Sequence, residues 1–335
     1  MAEKFNLSYF YVVMDVLWLL LGVALIILGA NWLTDGAASL AARWGVSDMV
    51  IGLTVVALGT STPELSISIV SALQGSAPLA VGNVVGSNIF NILVIIGIIA
   101  LVRPIRVMPS IMVNELGLVA ISSIALLAIG FSDFLGVSGE RIVSRPDGIL
   151  LLLFFCIFMR YTLAQAKKAP DGDALQENGG KHKEMSLLKA VLLILGGLAG
   201  LVYGGDRFVA GASGVAHSLG MSEAVIGLTI VAAGTSMPEL ATSLAAALKG
   251  NPGIAVGNVI GSNIFNIFFV LGVTATITPL PFGGVTHLDL ALMLLASLLF
   301  WIFCWKIGKC IVTRIEGAIL LAVYVAYIAW QIMMI

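Results

Sequence analysis

The chain is 335 residues long, 59% hydrophobic and only 10% charged, with a net charge of −1 and a mean hydropathy of +1.08. No soluble domain of this length stays in solution with such a composition, so the chain reads as a polytopic membrane protein whose partner is the lipid bilayer, with no nucleic acid expected. Cys156, Cys304 and Cys310 have no paired spacing, which argues against a disulfide framework or a zinc site.

Apolar segments long enough to cross a hydrocarbon core as helices predict spans over 12–41, 48–73, 79–102, 111–130 and 147–165, then over 187–217, 223–249, 254–277, 287–305 and 311–333. The alternating pattern of a membrane barrel is absent, so the expected fold is an all-α membrane protein with ten transmembrane helices in two sets of five. The first apolar segment starts near Val12, is too long for a signal-peptide core and lacks a small-residue cleavage site, so it is expected to stay as a span. Ala166–Ser186, the one extended polar stretch, reads as a solvated linker between repeats at 1–165 and 187–335. Asp171 and Asp173 within it begin no calcium-loop pattern.

The second set repeats the first. Ile51–Leu65 (IGLTVVALGTSTPEL) returns as Ile226–Leu240 (IGLTIVAAGTSMPEL), and Val81–Ile92 returns at the same 175-residue offset as Val256–Ile267, with eleven of twelve residues identical. An odd number of spans per repeat forces the second copy to enter the membrane from the opposite side, and basic residues test this. Thirteen of the seventeen Lys and Arg residues fall on one side of the predicted topology. Matching loops also carry opposite flanks: Arg103 and Arg106 follow the third span where Thr278–Phe282 has no basic residue, and Gln74 after the second span is matched by Lys249. Inverted topology follows, with both termini outside the cell membrane and the linker in the cytoplasm.

Each repeat carries a polar stripe. Ala57, Thr60 and Glu64 share one helix face with Ser61 beside them, and Ala232, Thr235, Ser236 and Glu239 repeat the arrangement. Pro63 and Pro238 remove a backbone donor next to Gly59 and Gly234, so each of these spans is expected to break at the membrane midplane and free carbonyl oxygens. The following spans contribute Asn83, Ser87 and Asn91, matched by Asn258, Ser262 and Asn266, while Asn88 and Asn263 lie off the stripe and read as packing and interhelical hydrogen bonding. Such hard oxygen donors suit Na⁺ and Ca²⁺. A purely structural role for the glutamates is disfavoured, because an ionised side chain at the bilayer centre costs about 2.5–3.5 kcal/mol or more.

The twin signatures Gly59-Thr-Ser-Thr-Pro-Glu64 and Gly234-Thr-Ser-Met-Pro-Glu239, each followed by Gly-Ser-Asn-Ile-Phe-Asn, resemble the two α-repeats of prokaryotic Na⁺/Ca²⁺ exchangers in the cation/Ca²⁺ exchanger superfamily. The resemblance implies a Na⁺/Ca²⁺ antiporter of alternating access, in which the long first and sixth spans slide against the other eight helices. Carried onto this chain, it makes Glu64 and Glu239 the central Ca²⁺ ligands, with Thr60 and Thr235 adding oxygens. It gives Ala57 and Ala232 to flanking Na⁺ sites through their carbonyls, completed by Ser61, Ser87, Ser236 and Ser262, and sets Asn91 and Asn266 in the middle of the cluster. Relatives of this type often carry aspartate where this chain has Asn266, so its site holds two negative charges at most.

A monomeric transport unit with no cofactor is expected, carrying Ca²⁺ and Na⁺. Protons compete with cations for two buried carboxylates, so a Ca²⁺/H⁺ exchanger is the alternative, and a cation channel is the alternative from another class. Inverted repeats with broken helices favour alternating access over an open pore. The motifs of hydrolases and metalloproteases are absent, so no enzyme is expected.

Overall fold

The computed structural model describes residues 2–107, 109–132, 141–166, 185–219, 232–307 and 310–334. Among them, eight helices are long and apolar enough to cross a membrane, and Asn114–Gly130 adds a shorter apolar helix. Helix α1 covers Ala2–Trp44, so the polar start is helical too. The second span is built from α2 (Asp48–Ile51), a π-helical turn over Gly52–Val56, α3 (Ala57–Thr60) and α4 (Thr62–Leu73). The third consists of α5 (Pro78–Phe90), a π-turn over Asn91–Ile96 and α6 (Gly97–Val102). Helices α7 (Pro109–Gly130) and α8 (Arg145–Ala166) complete the first half.

The second half begins with α9 (Leu187–Ser218). Of the span expected over 223–249, residues 220–231 lie outside the described residues; the remainder forms α10 (Ala232–Thr235) and α11 (Met237–Leu248). There follow α12 (Pro252–Ile264), a π-turn over Phe265–Leu271 and α13 (Gly272–Ile277), then α14 (His287–Ile302) with its π-turn Phe303–Ile307, and α15 (Arg314–Met334). The linker's residues 167–184 lie outside the described residues.

The tenth span starts later than expected. Ile311 and Val312 form a short strand, β4, paired antiparallel with β1 (Ile105–Arg106). Thr313 then caps α15: its N–H donates to Glu316 Oε2 at 2.9 Å and its hydroxyl to the same oxygen. Ser144 and Asp147 cap α8 in the same way, and Thr286 with Asp289 forms a full capping box on α14. These S/T-x-x-D/E signals set helix starts that apolar content alone blurs. A second clasp, Ile142–Val143 (β2) with Leu280–Pro281 (β3), also ties a first-half segment to a second-half one.

Asp289 does more than cap. Its Oδ2 accepts the Thr286 N–H at 2.7 Å and hydroxyl at 2.9 Å, while Oδ1 accepts the Tyr327 hydroxyl at 2.9 Å and Gln331 Nε2 at 3.1 Å, which fastens α14 to α15. Asp289→Ala is expected to destabilise the fold by about 2 kcal/mol, because a cap and two half-buried polar partners lose their acceptor together. Thermal unfolding in detergent checks this, and an unchanged melting temperature would show that the fastening contributes nothing.

Burial orders the spans into layers. The apolar windows of Pro78–Val102 and Pro252–Ile277 are 83% and 94% buried, which places the third and eighth spans at the centre, whereas α1, α8 and α15 expose their apolar side chains as lipid-facing helices do. α1 and α9 form a separate long antiparallel pair. Its seam is glycine: Gly22, Gly29 and Gly36 on α1, and Gly197, Gly204 and Gly211 on α9, repeat at seven-residue intervals. A Cβ at Gly29 would sit 2.7 Å from the Gly197 carbonyl oxygen, and one at Gly204 would sit 2.9 Å from the Ile26 nitrogen, so the two backbones touch directly.

Candidate functional site

Both second-type spans break where the prolines predict. Ser61 (φ −82°, ψ 5°) interrupts the first between α3 and α4, and Ser236 (φ −92°, ψ 9°) interrupts the other between α10 and α11. Each break brings a glutamate into the first turn of the helix that follows, and Glu64 and Glu239 are both 0% exposed. The carboxylates are held in place through their backbones. Asn83 Nδ2 donates to the Glu64 carbonyl at 3.3 Å and to Ser68 Oγ at 3.2 Å; Asn258 Nδ2 donates to the Glu239 carbonyl at 3.4 Å and to Ser243 Oγ at 2.9 Å. The same three-residue device is found in each half.

The halves are also tied to each other at this level. Ser61 Oγ donates to Glu239 Oε1 at 3.4 Å, and Thr60 Oγ1 donates to Asn258 Oδ1 at 3.0 Å and lies 3.5 Å from Ser262 Oγ. Thus Thr60 and Ser61, which precede Glu64, reach the side chains of the other repeat. Ala57 is buried with its methyl against Gly261, where a Cβ would come within 2.7 Å, and its carbonyl accepts the Ser61 N–H at 2.9 Å and the Thr60 hydroxyl at 3.4 Å. In the second half Thr235 is half-buried, Ser236 is fully buried and Ala232 opens α10. α4 packs on the π-turn Phe265–Leu271, which carries Asn266, and α11 packs on the π-turn Asn91–Ile96, which begins with Asn91.

Seven unpartnered atoms of the polar stripes share one chemistry. Among the described residues, Glu64 Oε1 and Oε2, Glu239 Oε2, Ser87 Oγ, Ser236 Oγ, Asn91 Oδ1 and Asn266 Oδ1 are buried with no hydrogen-bond partner. Leaving one buried polar atom unsatisfied costs roughly 1–3 kcal/mol, more when it is charged. Glu115 Oε2, Arg141 Nη2, Thr162 Oγ1, Ser213 Oγ and Thr242 Oγ1 are buried without a partner too, but the seven above fall on the polar stripes of the two repeats, where they are available to something other than protein. All seven are oxygens, and among them the two carboxylates bring the only formal charge, which suits a hard cation. Among the described residues no group of three or more His, Cys, Asp or Glu side chains converges anywhere.

Several residues of this region escape a reading by composition. Ser68 and Ser243, partners of the asparagines that hold the glutamates, are signalled only by repeating at the common offset. Thr242, whose buried Oγ1 has no partner, aligns with Ile67 and carries no such signal. Asn88 and Asn263 bond across the repeat interface, as expected, but to the stripe itself: Asn91 Nδ2 donates to Asn263 Oδ1 at 3.0 Å, and Asn266 Nδ2 to Asn88 Oδ1 at 3.1 Å.

Two inverted repeats, each with a broken helix that carries a buried glutamate, are the architecture of a secondary transporter of cations. The family model described as sodium/calcium exchanger protein matches residues 14–164 and 189–333, and the chain belongs to that family, a family of transporters and not of enzymes. It is 36% identical over 299 residues to the inner membrane protein YrbG of Escherichia coli, covering 86% of this chain and 88% of that one. It is 32% identical over 348 residues to the sodium/calcium exchanger MaX1 of Methanosarcina acetivorans, covering 95% and 98%. The sodium-calcium exchanger NCX_Mj, soaked with 10 mM Na⁺ and no Ca²⁺, superposes with a TM-score of 0.80 at 33% identity over 95% of this chain and 99% of that one.

Proposed function

We propose that the chain exchanges Na⁺ for Ca²⁺ by alternating access, with Glu64 and Glu239 as the shared carboxylates of the ion site. The observation that carries this is the set of buried, unpartnered oxygens on the polar stripes, both glutamates among them, with Ser61 of one half bonded to Glu239 of the other. Thr60 and Thr235 add hydroxyls beside Ca²⁺, and Ser61, Ser87, Ser236 and Ser262 with the carbonyls of Ala57 and Ala232 offer neutral oxygens for Na⁺. Asn91 and Asn266 stand between them. Two carboxylates balance one Ca²⁺ or two Na⁺, so the two cargoes compete for the same charge. The similarity to the sodium/calcium exchangers MaX1 and NCX_Mj supports this choice of ions.

The two repeats are taken as 1–165 and 187–335 joined by 166–186, with both termini outside and the linker cytoplasmic, which the distribution of basic residues supports. In that orientation the seating of α1 is informative. α1 packs along α11, and at the end of α11 Lys249 Nζ bonds Asp35 Oδ1 at 2.6 Å and the Asn31 carbonyl at 3.1 Å. α9 has no comparable packing along α4, whose Ser66, Ile67 and Val70 are exposed. The positions matching Asp35 and Lys249 in the other repeat are Ala210 and Gln74, so the ion pair has no counterpart there. This asymmetry supports a path closed on the cytoplasmic side of the glutamates and open on the outer side.

The test is ⁴⁵Ca²⁺ uptake into proteoliposomes loaded with Na⁺, compared with vesicles loaded with K⁺ or bearing an imposed ΔpH. Uptake is expected with internal Na⁺ alone; uptake that follows ΔpH and ignores Na⁺ would assign the site to Ca²⁺/H⁺ exchange. If more than two Na⁺ replace one Ca²⁺, each cycle moves net charge worth about 2.3 kcal/mol per charge per 100 mV. The response of flux to a clamped potential therefore reads the stoichiometry.

A further inference from the structure

We infer that Asn88 and Asn263, neither of which belongs to the ion-ligand set, are positioning residues that aim the amide oxygens of Asn91 and Asn266 into the cation site. Four hydrogen bonds make the device. Asn88 Nδ2 donates to the main-chain carbonyl of Asn263 at 3.2 Å, and Asn263 Nδ2 donates to that of Asn88 at 3.3 Å. Asn91 Nδ2 donates to Asn263 Oδ1 at 3.0 Å, and Asn266 Nδ2 to Asn88 Oδ1 at 3.1 Å. All four residues are buried, with exposures of 0 or 1%.

The direction of each amide follows from the first pair of bonds. A main-chain carbonyl only accepts, so the group facing it must be the NH₂ of Asn88 or Asn263. Their Oδ1 atoms then point the other way and can only accept in turn. The NH₂ ends of Asn266 and Asn91 occupy those acceptors, which leaves the Oδ1 of each turned away, buried and without a partner. A free asparagine in this place would present a donor or an acceptor with similar ease, and a donor repels a cation. The ring removes that choice at no cost in charge.

Backbone geometry gives the ring its footing. Helix α5 ends at Phe90 and α12 at Ile264, and each gives way to a π-turn at the residues in question, Asn91–Ile96 and Phe265–Leu271. The change of hydrogen-bond register at a π-turn alters how nearby carbonyls are satisfied, and such turns collect at functional sites. Here the carbonyls of Asn88 and Asn263, just upstream, take side-chain donors from the opposite repeat. The ring thus lies where the repeats meet and orients one ligand oxygen from each. Metal ligands are commonly held by such outer partners, whose removal weakens affinity about 10–100-fold.

The inference rests on the ion site proposed above, and a double-mutant cycle on the full-length protein separates the two. Half-saturation by Ca²⁺ is measured for wild type, Asn88→Ala, Asn266→Ala and the double variant, in Na⁺-loaded vesicles and under ΔpH, with melting temperatures recorded in parallel. Asn88→Ala is expected to raise the half-saturating concentration about 10-fold in the wild-type background, and less than about 2-fold once Asn266 is already alanine, while lowering the melting temperature similarly in both. Equal fold-changes in both backgrounds, or none in either, would overturn the positioning role and leave the ring a structural cross-tie. If Asn88→Ala does not reach the membrane, Asn88→Ser, too short to hold Asn266, is carried through the same cycle. A wild type indifferent to Na⁺ refutes the coupling ion, whereas the Ca²⁺ cycle still decides the role of Asn88.

Discussion

Glu64→Gln and Glu239→Gln are each expected to abolish Ca²⁺ exchange while leaving the protein as stable as wild type or more so. The substitution keeps the shape of the side chain and exchanges one acceptor oxygen for a donor, so packing in the first turn of α4 or α11 is unchanged. What changes is charge. A unit charge about 4 Å from another contributes about 4 kcal/mol at an effective dielectric near 20, and the divalent cargo loses one of its two counter-charges. A loss of at least about 100-fold in transport follows, since about 1.4 kcal/mol is tenfold. Stability moves the other way, because an ionised group at membrane depth costs about 2.5–3.5 kcal/mol that the amide does not. The backbone ties from Asn83 and Asn258 do not involve either carboxylate and survive both substitutions. ⁴⁵Ca²⁺ uptake and thermal unfolding on the same preparation check the pair of claims; exchange at the wild-type rate in either variant would remove that glutamate from the site.

The second large effect is on assembly. Gly29→Ala is expected to destabilise the α1–α9 pair by about 1–3 kcal/mol or more, because the added methyl meets backbone, which has no rotamer to yield. The new Cβ would lie 2.7 Å from the Gly197 carbonyl oxygen and 2.8 Å from the Leu201 nitrogen. The helices must separate along the whole seam, since Gly22 and Gly36 bracket the same contact and are equally tight, with approaches of 2.4 Å and 2.8 Å. Gly117→Ala on α7 is the control: nothing lies within 4 Å of its Cβ, so helix propensity alone decides and the change is neutral or stabilising by about 1 kcal/mol. Melting temperatures in detergent test this contrast. A Gly29→Ala protein that melts with wild type would mean that the pair packs less closely than these distances state.

The seam also bears on transport. If α1 and α9 slide as one body over the core, their mutual packing has to survive each cycle while their contacts with α4 and α11 change. Direct backbone contact through six glycines serves that requirement. Lys249 and Asp35, half-exposed, can open and close without large cost, as surface ion pairs contribute about 0–1 kcal/mol.

Much of this protein is legible in its sequence because the decisive features are local or repeated. Apolar length identifies the spans, and a proline in the middle of a span removes a helical hydrogen bond, so the interruptions at Ser61 and Ser236 follow from Pro63 and Pro238. Duplication at one offset pairs Glu64 with Glu239, and an odd span count inverts the second copy. Helix starts were less legible: Ile311 and Val312 look like membrane by hydropathy, and only the cap of Thr313 on Glu316 separates them from α15. Tertiary structure alone decided the rest. Which end of the Asn91 and Asn266 amides is left without a partner depends on carbonyls in the opposite half, as between Asn88 and Asn263, 175 residues apart. The intimacy of α1 and α9 depends on two glycine rows meeting in register. The seating of α1 on α11, unmatched by α9 on α4, belongs here too: Asp35 and Lys249 differ from their counterparts Ala210 and Gln74, but they stand 214 residues apart, and only the packing between halves brings the two side chains together.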